Sequence, residues 1–278
     1  MEQSDPRGRG RRSGRAGGPG GCALAVFLAL ASGCVSPPIE DEMGTVSEAR
    51  AHRDLGIEYL STGRTAMAIR ELAASIEQDA SDPVAHLWIG EAYRRKGQSE
   101  RALAAFETAA RDAAGQRDVQ TEQDARLNLS ALLSQIGRHA DALPHCEALA
   151  EDPTFPSPWR ALTNCGWALL QLGRYDEARA HFRDALEYFP RYGPALLDLG
   201  ILETKQGHSL AAITSFEKAI ASGRLNTSGR AEANFRLGEI FVSLGDREKA
   251  IEHFRAAVET GPMVEWGTQS QAYLDLLR

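Results

Sequence analysis

The sequence predicts an all-α protein made of six helix pairs and one closing helix. Three observations carry this. The stretch Trp159 to Tyr192 reads as two helices, one from about Trp159 to Leu172 and one carrying Ala178, Phe182 and Ala185 on a single face. Gly173 separates them, because glycine takes the left-handed conformation at a helix end without a Cβ clash, and Pro190 closes the unit. The turn glycine then recurs at Gly63, Gly97, Gly137, Gly173, Gly207 and Gly245, at spacings of 34, 40, 36, 34 and 38. Other registers recur with it. With Gly173 at position 15 of a 34-residue unit, position 20 is Ala68, Ala102, Ala142, Ala178, Ala212 and Ala250. Position 8 is Gly56, Gly90, Ser130, Gly166, Gly200 and Gly238; position 24 is Leu72, Phe106, Cys146, Phe182, Phe216 and Phe254.

Small residues stand where two helix backbones must approach, and large ones fill the space between. A single pair cannot bury its apolar face, so successive pairs must stack. The registers resemble the tetratricopeptide repeat, and the resemblance implies an α-solenoid. The repeats fall at about 49–82, 83–116, 123–156, 159–192, 193–226 and 231–264. Departures from the 34-residue period are polar insertions that extend loops or helix ends. His52 and His86 stand where the first helix of that family carries tryptophan. The final stretch, 265–278, carries Ala272, Leu276 and Leu277 with polar residues opposite, and reads as a capping helix over the last repeat.

Ahead of the repeats lies a different kind of segment. Five arginines precede the apolar run 22–31, which at ten residues is too short to cross a bilayer as a helix. Positive flank, short apolar core and small residues describe a secretory signal peptide over 1–33. Its end, Leu30-Ala31-Ser32-Gly33-Cys34, resembles a bacterial lipoprotein processing site. That resemblance implies cleavage before Cys34 and acylation of its thiol and amine, and two or more acyl chains anchor stably where one does not. Val35 follows, not aspartate, which by the same resemblance directs the protein to the outer membrane, on its periplasmic face. Residues 34–48, with Pro37-Pro38 and an acidic cluster at 40–42, read as a lipidated flexible tether.

Composition excludes some functions. The chain carries −7 formally, and without residues 1–33 about −10, so it lacks the basic footprint that phosphate binding requires; nucleic acid is not the expected partner. The seven histidines make no His-Glu-x-x-His, and there is no Gly-x-Ser-x-Gly and no phosphate-binding glycine loop. We therefore expect no catalysis, no small-molecule substrate, no cofactor and no metal. Cys146 and Cys165 occupy core positions that face each other across the junction of repeats three and four. They read equally well as a disulfide and as two small buried hydrophobes.

In a stack of this kind the first helices line the concave face. Positions 2, 5, 9, 12 and 13 predict a largely apolar peptide-binding groove in repeats four to six, formed by Trp167, Leu170, Leu197, Ile201, Phe235 and Val242, with Glu239 interrupting it. Repeats one to three offer the more polar Arg53, Glu91, Arg94, Asp124 and Gln135.

A lipoprotein signal followed by six such repeats resembles the pilotins of type IV pilus secretins. The junction Asp152-Pro153-Thr154-Phe155-Pro156-Ser157-Pro158, the run Asn164-Cys165-Gly166, the turn Gly173-Arg174-Tyr175-Asp176-Glu177-Ala178 and the junction from Arg191 to Leu197 are similar to that family. The family's paired cysteines fall at positions matching Ser134 and Ala168, so the likeness does not extend to Cys146 and Cys165. The resemblance implies a lipid-anchored adaptor whose partner is a secretin subunit, promoting its outer-membrane targeting and multimerisation. The alternative is a general envelope scaffold for a cell-wall or secretion-machinery partner.

Overall fold

A computed structural model describes residues 40–277. The signal peptide, Cys34 and the first part of the expected tether lie outside the described residues. Those described form thirteen helices and no strand. Each repeat supplies two: α1 (Glu40–Ser61) and α2 (Thr65–Gln78), α3 (Pro83–Arg95) and α4 (Ser99–Gln116), α5 (Val119–Gln135) and α6 (His139–Glu151). The second half continues with α7 (Pro158–Gln171) and α8 (Tyr175–Tyr188), α9 (Gly193–Lys205) and α10 (Ser209–Ala221), α11 (Thr227–Ser243) and α12 (Arg247–Thr260). Helix α13 (Glu265–Leu276) closes the stack. The protein is an all-α solenoid.

One correction concerns the start. The tether assigned to 34–48 is helical from Glu40, and α1 is 22 residues long. Pro37-Pro38 would break a helix, but after them only Gly44 opposes one, so the segment extends the first helix instead of ending at it.

Two glycine registers set the geometry. All six turn glycines have φ between 70° and 82°, the region a side chain resists. At position 8 the reason is space. A Cβ on Gly166 would lie 2.5 Å from the ring of Phe182, and one on Gly200 2.6 Å from the ring of Phe216. Gly90 and Gly238 face Phe106 and Phe254 in the same way, and Gly56 faces Leu72. Each large side chain at position 24 is thus a knob seated on bare backbone of its own repeat. All six alanines at position 20 and all five of these knobs are at 0% exposure.

Polar side chains join successive repeats. The Asp82 carboxylate accepts from the backbone N–H of Val84 (2.9 Å) and Ala85 (3.2 Å), capping α3. Its other oxygen accepts from Arg53 of α1 at 2.9 Å. Arg95, at the end of α3, donates to the carbonyl of Leu60 at 2.8 Å and so satisfies the C-terminus of α1.

The two helices of a repeat do not have equivalent surroundings. Odd-numbered helices pack on the next odd-numbered helix along the whole stack, whereas no even-numbered helix touches another even one. The odd layer is therefore the tightly spaced one, the asymmetry that bends such a stack toward that side.

Candidate partner-binding groove

The close approach of odd helices decides what the groove exposes. Helix α7 is flanked by α5 on one side and α9 on the other, so only a narrow stripe of each odd helix stays open. Four of the six expected groove residues, Leu170, Leu197, Ile201 and Phe235, belong to the buried core. Leu170 is 1% exposed, within the main cluster that includes Leu132, Leu133 and Leu202. Phe235 is 3% exposed because the capping helix covers it: its ring lies 5.2 Å from Trp266 and 5.7 Å from Tyr273. Leu197 and Ile201 are each at 8% and show only an edge. Trp167 is half-buried, and Val242 is 40% exposed. The open stripe is completed by polar side chains, among them the exposed Arg160, Gln171, Thr204 and Lys205 and the half-buried Glu239. The groove is amphipathic rather than largely apolar.

It is also acidic at its centre. Asp198 of α9 is half-buried and accepts no hydrogen bond among the described residues. Burial, and then the charge of Glu232 on α11, push its carboxyl well above the usual carboxylate range. Glu232 is itself raised by burial, which outweighs the charge and hydrogen bond of Arg236. Arg236 reaches Glu232 at 3.4 Å and Glu239 at 3.2 Å, and lies over the Trp266 ring at 4.7 Å. One guanidinium thus serves two carboxylates and leaves Asp198 unpaired. A bound cationic side chain would relieve that pair.

The groove of repeats one and two is satisfied internally. Arg53 pairs with Asp54 as well as Asp82, and Glu91 accepts from both Arg94 and Arg95 at 2.7 Å. No three His, Cys, Asp or Glu residues come together as a metal site among the described residues. Cys146 and Cys165 are joined in a disulfide, with Cα atoms 5.6 Å apart.

A second apolar surface was not foreseen. Because even helices splay apart, α2 and α4 leave a cleft of about 470 Å³ floored by α3 and lined by Ala73, Ile76, Ile89, Tyr93 and Ala105. These residues come from three helices and follow no single periodicity, so only their assembly reveals them.

The tetratricopeptide repeat family matches residues 53–118, 127–195, 163–225 and 197–262, well over half of the sequence. The chain belongs to that family. Among curated proteins it is similar to the type IV pilus assembly protein PilF of Pseudomonas aeruginosa strain PAO1. The identity is 23% over 237 residues, covering 83% of this chain and 90% of PilF. Among solved structures it resembles PilW, a widely conserved type IV pilus biogenesis factor, with a TM-score of 0.67 at 21% identity over 81% of this chain and 98% of PilW. The structure of P. aeruginosa PilF superposes with a TM-score of 0.63 at 19% identity, covering 83% of this chain and 99% of PilF. The Cut9–Hcn1 hetero-tetramer of the APC/C scores 0.66 at 17% identity, covering 86% of this chain and 45% of that one. The solenoid itself is thus shared by proteins with different work.

Proposed function

We propose that this protein is a lipid-anchored adaptor of type IV pilus biogenesis. In this reading Cys34 carries the anchor, the solenoid stands on the periplasmic face of the outer membrane, and a secretin subunit is the partner. Binding would promote the secretin's outer-membrane targeting and multimerisation by local concentration and orientation, without catalysis. The observation that carries the reading is collinearity: the similarity to PilF runs through 83% of this chain and 90% of that protein, not through one or two repeats. The buried disulfide supports an oxidising compartment. The groove between Trp167 and Val242 would take an amphipathic segment, its apolar side chains against Trp167 and a basic one toward Asp198.

Capture of the secretin from envelope extracts tests this. Trp167→Ala with Val242→Ser should reduce capture at least tenfold while melting remains cooperative. Loss only with Ile76→Glu would move the site to the cleft between α2 and α4. Full capture by both variants would remove both surfaces. Recovery of wall or secretion enzymes in place of the secretin would favour the general scaffold. Cys34→Ser should leave the protein soluble in the periplasm; unchanged membrane recovery would refute the anchor.

A further inference from the structure

Position 6 of the repeat unit is Asn164 on α7, Asp198 on α9 and Arg236 on α11, and all three side chains are half-buried. Two of them are already engaged. The Asn164 amide donates to the Ser130 hydroxyl at 2.8 Å and to the Leu127 carbonyl at 3.4 Å, both on α5, and so ties its repeat to the one before. Arg236 serves Glu232 and Glu239 of its own helix and lies over the Trp266 ring.

Asp198 has neither arrangement. A carboxylate cannot donate, and the α7 residues that match Ser130 and Leu127 offer it nothing. They are Gly166, which has no hydroxyl, and Thr163, whose hydroxyl donates to the Trp159 carbonyl at 2.7 Å. Toward α11 it meets Glu232, a like charge. Arg160, the nearby cation of α7, is engaged with the Tyr192 hydroxyl. Repeats three and four carry asparagine at this position, Asn128 and Asn164, so the fold accepts a neutral amide there. Stability alone gives no reason for a carboxylate.

We propose that Asp198 is the receptor for one lysine or arginine side chain of the bound segment and fixes where that segment sits along the groove. This rests on the groove being the binding face, as proposed above. The entering cation lies between Asp198 and Glu232 and supplies the donors that α7 and α11 lack. An acidic side chain at the same place meets two carboxylates and is rejected. Trp167, one odd helix away and three positions further along the unit, takes an apolar side chain of the same segment. Neighbouring helices pack about 8–10 Å apart, so the basic and apolar side chains stand about two to four residues apart in an extended segment.

Random peptides displayed on phage and selected on the immobilised full chain test this without the secretin. Peptides held by the wild type should carry a lysine or arginine about two to four residues from a tryptophan, phenylalanine or leucine. Selection on Asp198→Asn, which keeps the shape and removes the charge, should retain the apolar residue and lose the basic one. For one selected peptide, replacing its lysine by norleucine should weaken binding roughly 10-fold on the wild type and hardly at all on Asp198→Asn. Asp198→Lys should abolish binding of the same peptide. Equal basic enrichment on wild type and Asp198→Asn, no such enrichment on the wild type, or binding that survives Asp198→Lys would overturn the proposal. Because the secretin takes no part, failure here leaves the secretin reading standing, and failure to capture the secretin leaves this result intact.

Discussion

Asp198 is the residue whose surroundings are least balanced. It lies between two odd helices, faces Glu232, and has no cation of its own, since Arg236 is occupied by Glu232 and Glu239. Its carboxyl is raised by burial and by Glu232, so the ionised form is the one the fold penalises. The sign follows. The contribution to stability is fully present below the unfolded value of about 3.9 and is lost as pH rises through the folded value. Asp198→Asn removes a charge that is penalised only at the higher pH. The variant should melt several degrees above wild type at pH 7, and the two curves should converge near pH 3, as differential scanning calorimetry would show. A constant gap across that range would mean that the carboxyl is not the cause. Gly166 gives a second prediction at this scale. A methyl group there would meet the Phe182 ring at 2.5 Å with the ring at 0% exposure, so neither can yield cheaply. Gly166→Ala should cost about 1–3 kcal/mol in denaturant unfolding. Gly115 has nothing within 4 Å of the same added atom, and its alanine variant should be neutral or slightly stabilising.

Among the elements, α13 does more than cover an end. Trp266 and Tyr273 stand over Phe235, and Tyr273 also stacks on Phe254 with ring centroids 4.7 Å apart and planes 14° apart. The cap thereby takes a residue out of the groove and ties the knob of repeat six in place. Tyr273→Ala should cost about 2 kcal/mol, from lost apolar contact and ring stacking. Hydrogen exchange should localise that loss to α11 and α12 and leave α7 and α8 as protected as before. This element also marks where the sequence stops being readable. The turn glycines, the position-20 alanines and the position-24 knobs are legible because each answers to a neighbour within its own repeat. The burial of Phe235 depends on a helix thirty residues away, that of Leu170 on how closely α5 and α9 flank α7, and neither distance is written in a local period. The helical start at Glu40 was hidden for another reason: a polar, acidic run after two prolines reads as linker, and only its continuity with α1 makes it helix. The disulfide was half-legible, since the register placed both cysteines face to face but could not supply their separation.

For the whole molecule, the early start of α1 changes how an anchored adaptor would work. Only the five residues 35–39 lie between Cys34 and the first helix, and a chain of that length spans at most about 20 Å. A fifteen-residue flexible tether would have allowed roughly 50 Å. On the anchored reading proposed above, the short link confines the solenoid to a thin layer at the membrane, and confinement is what raises the effective concentration of groove and partner. Lengthening the link should therefore weaken function gradually, whereas cutting the anchor should abolish it. Insertion of about 20 Gly/Ser residues after Pro38 would increase the typical reach while leaving every contact of the solenoid intact. Assembled secretin multimers, measured as the heat-resistant fraction from envelopes, should fall severalfold with the insertion and almost completely with Cys34→Ser, while capture by the purified solenoid stays at the wild-type level in both. If the insertion matched the loss seen with Cys34→Ser, the link would be setting orientation rather than concentration. If neither change altered assembly, membrane confinement would have no part in the mechanism.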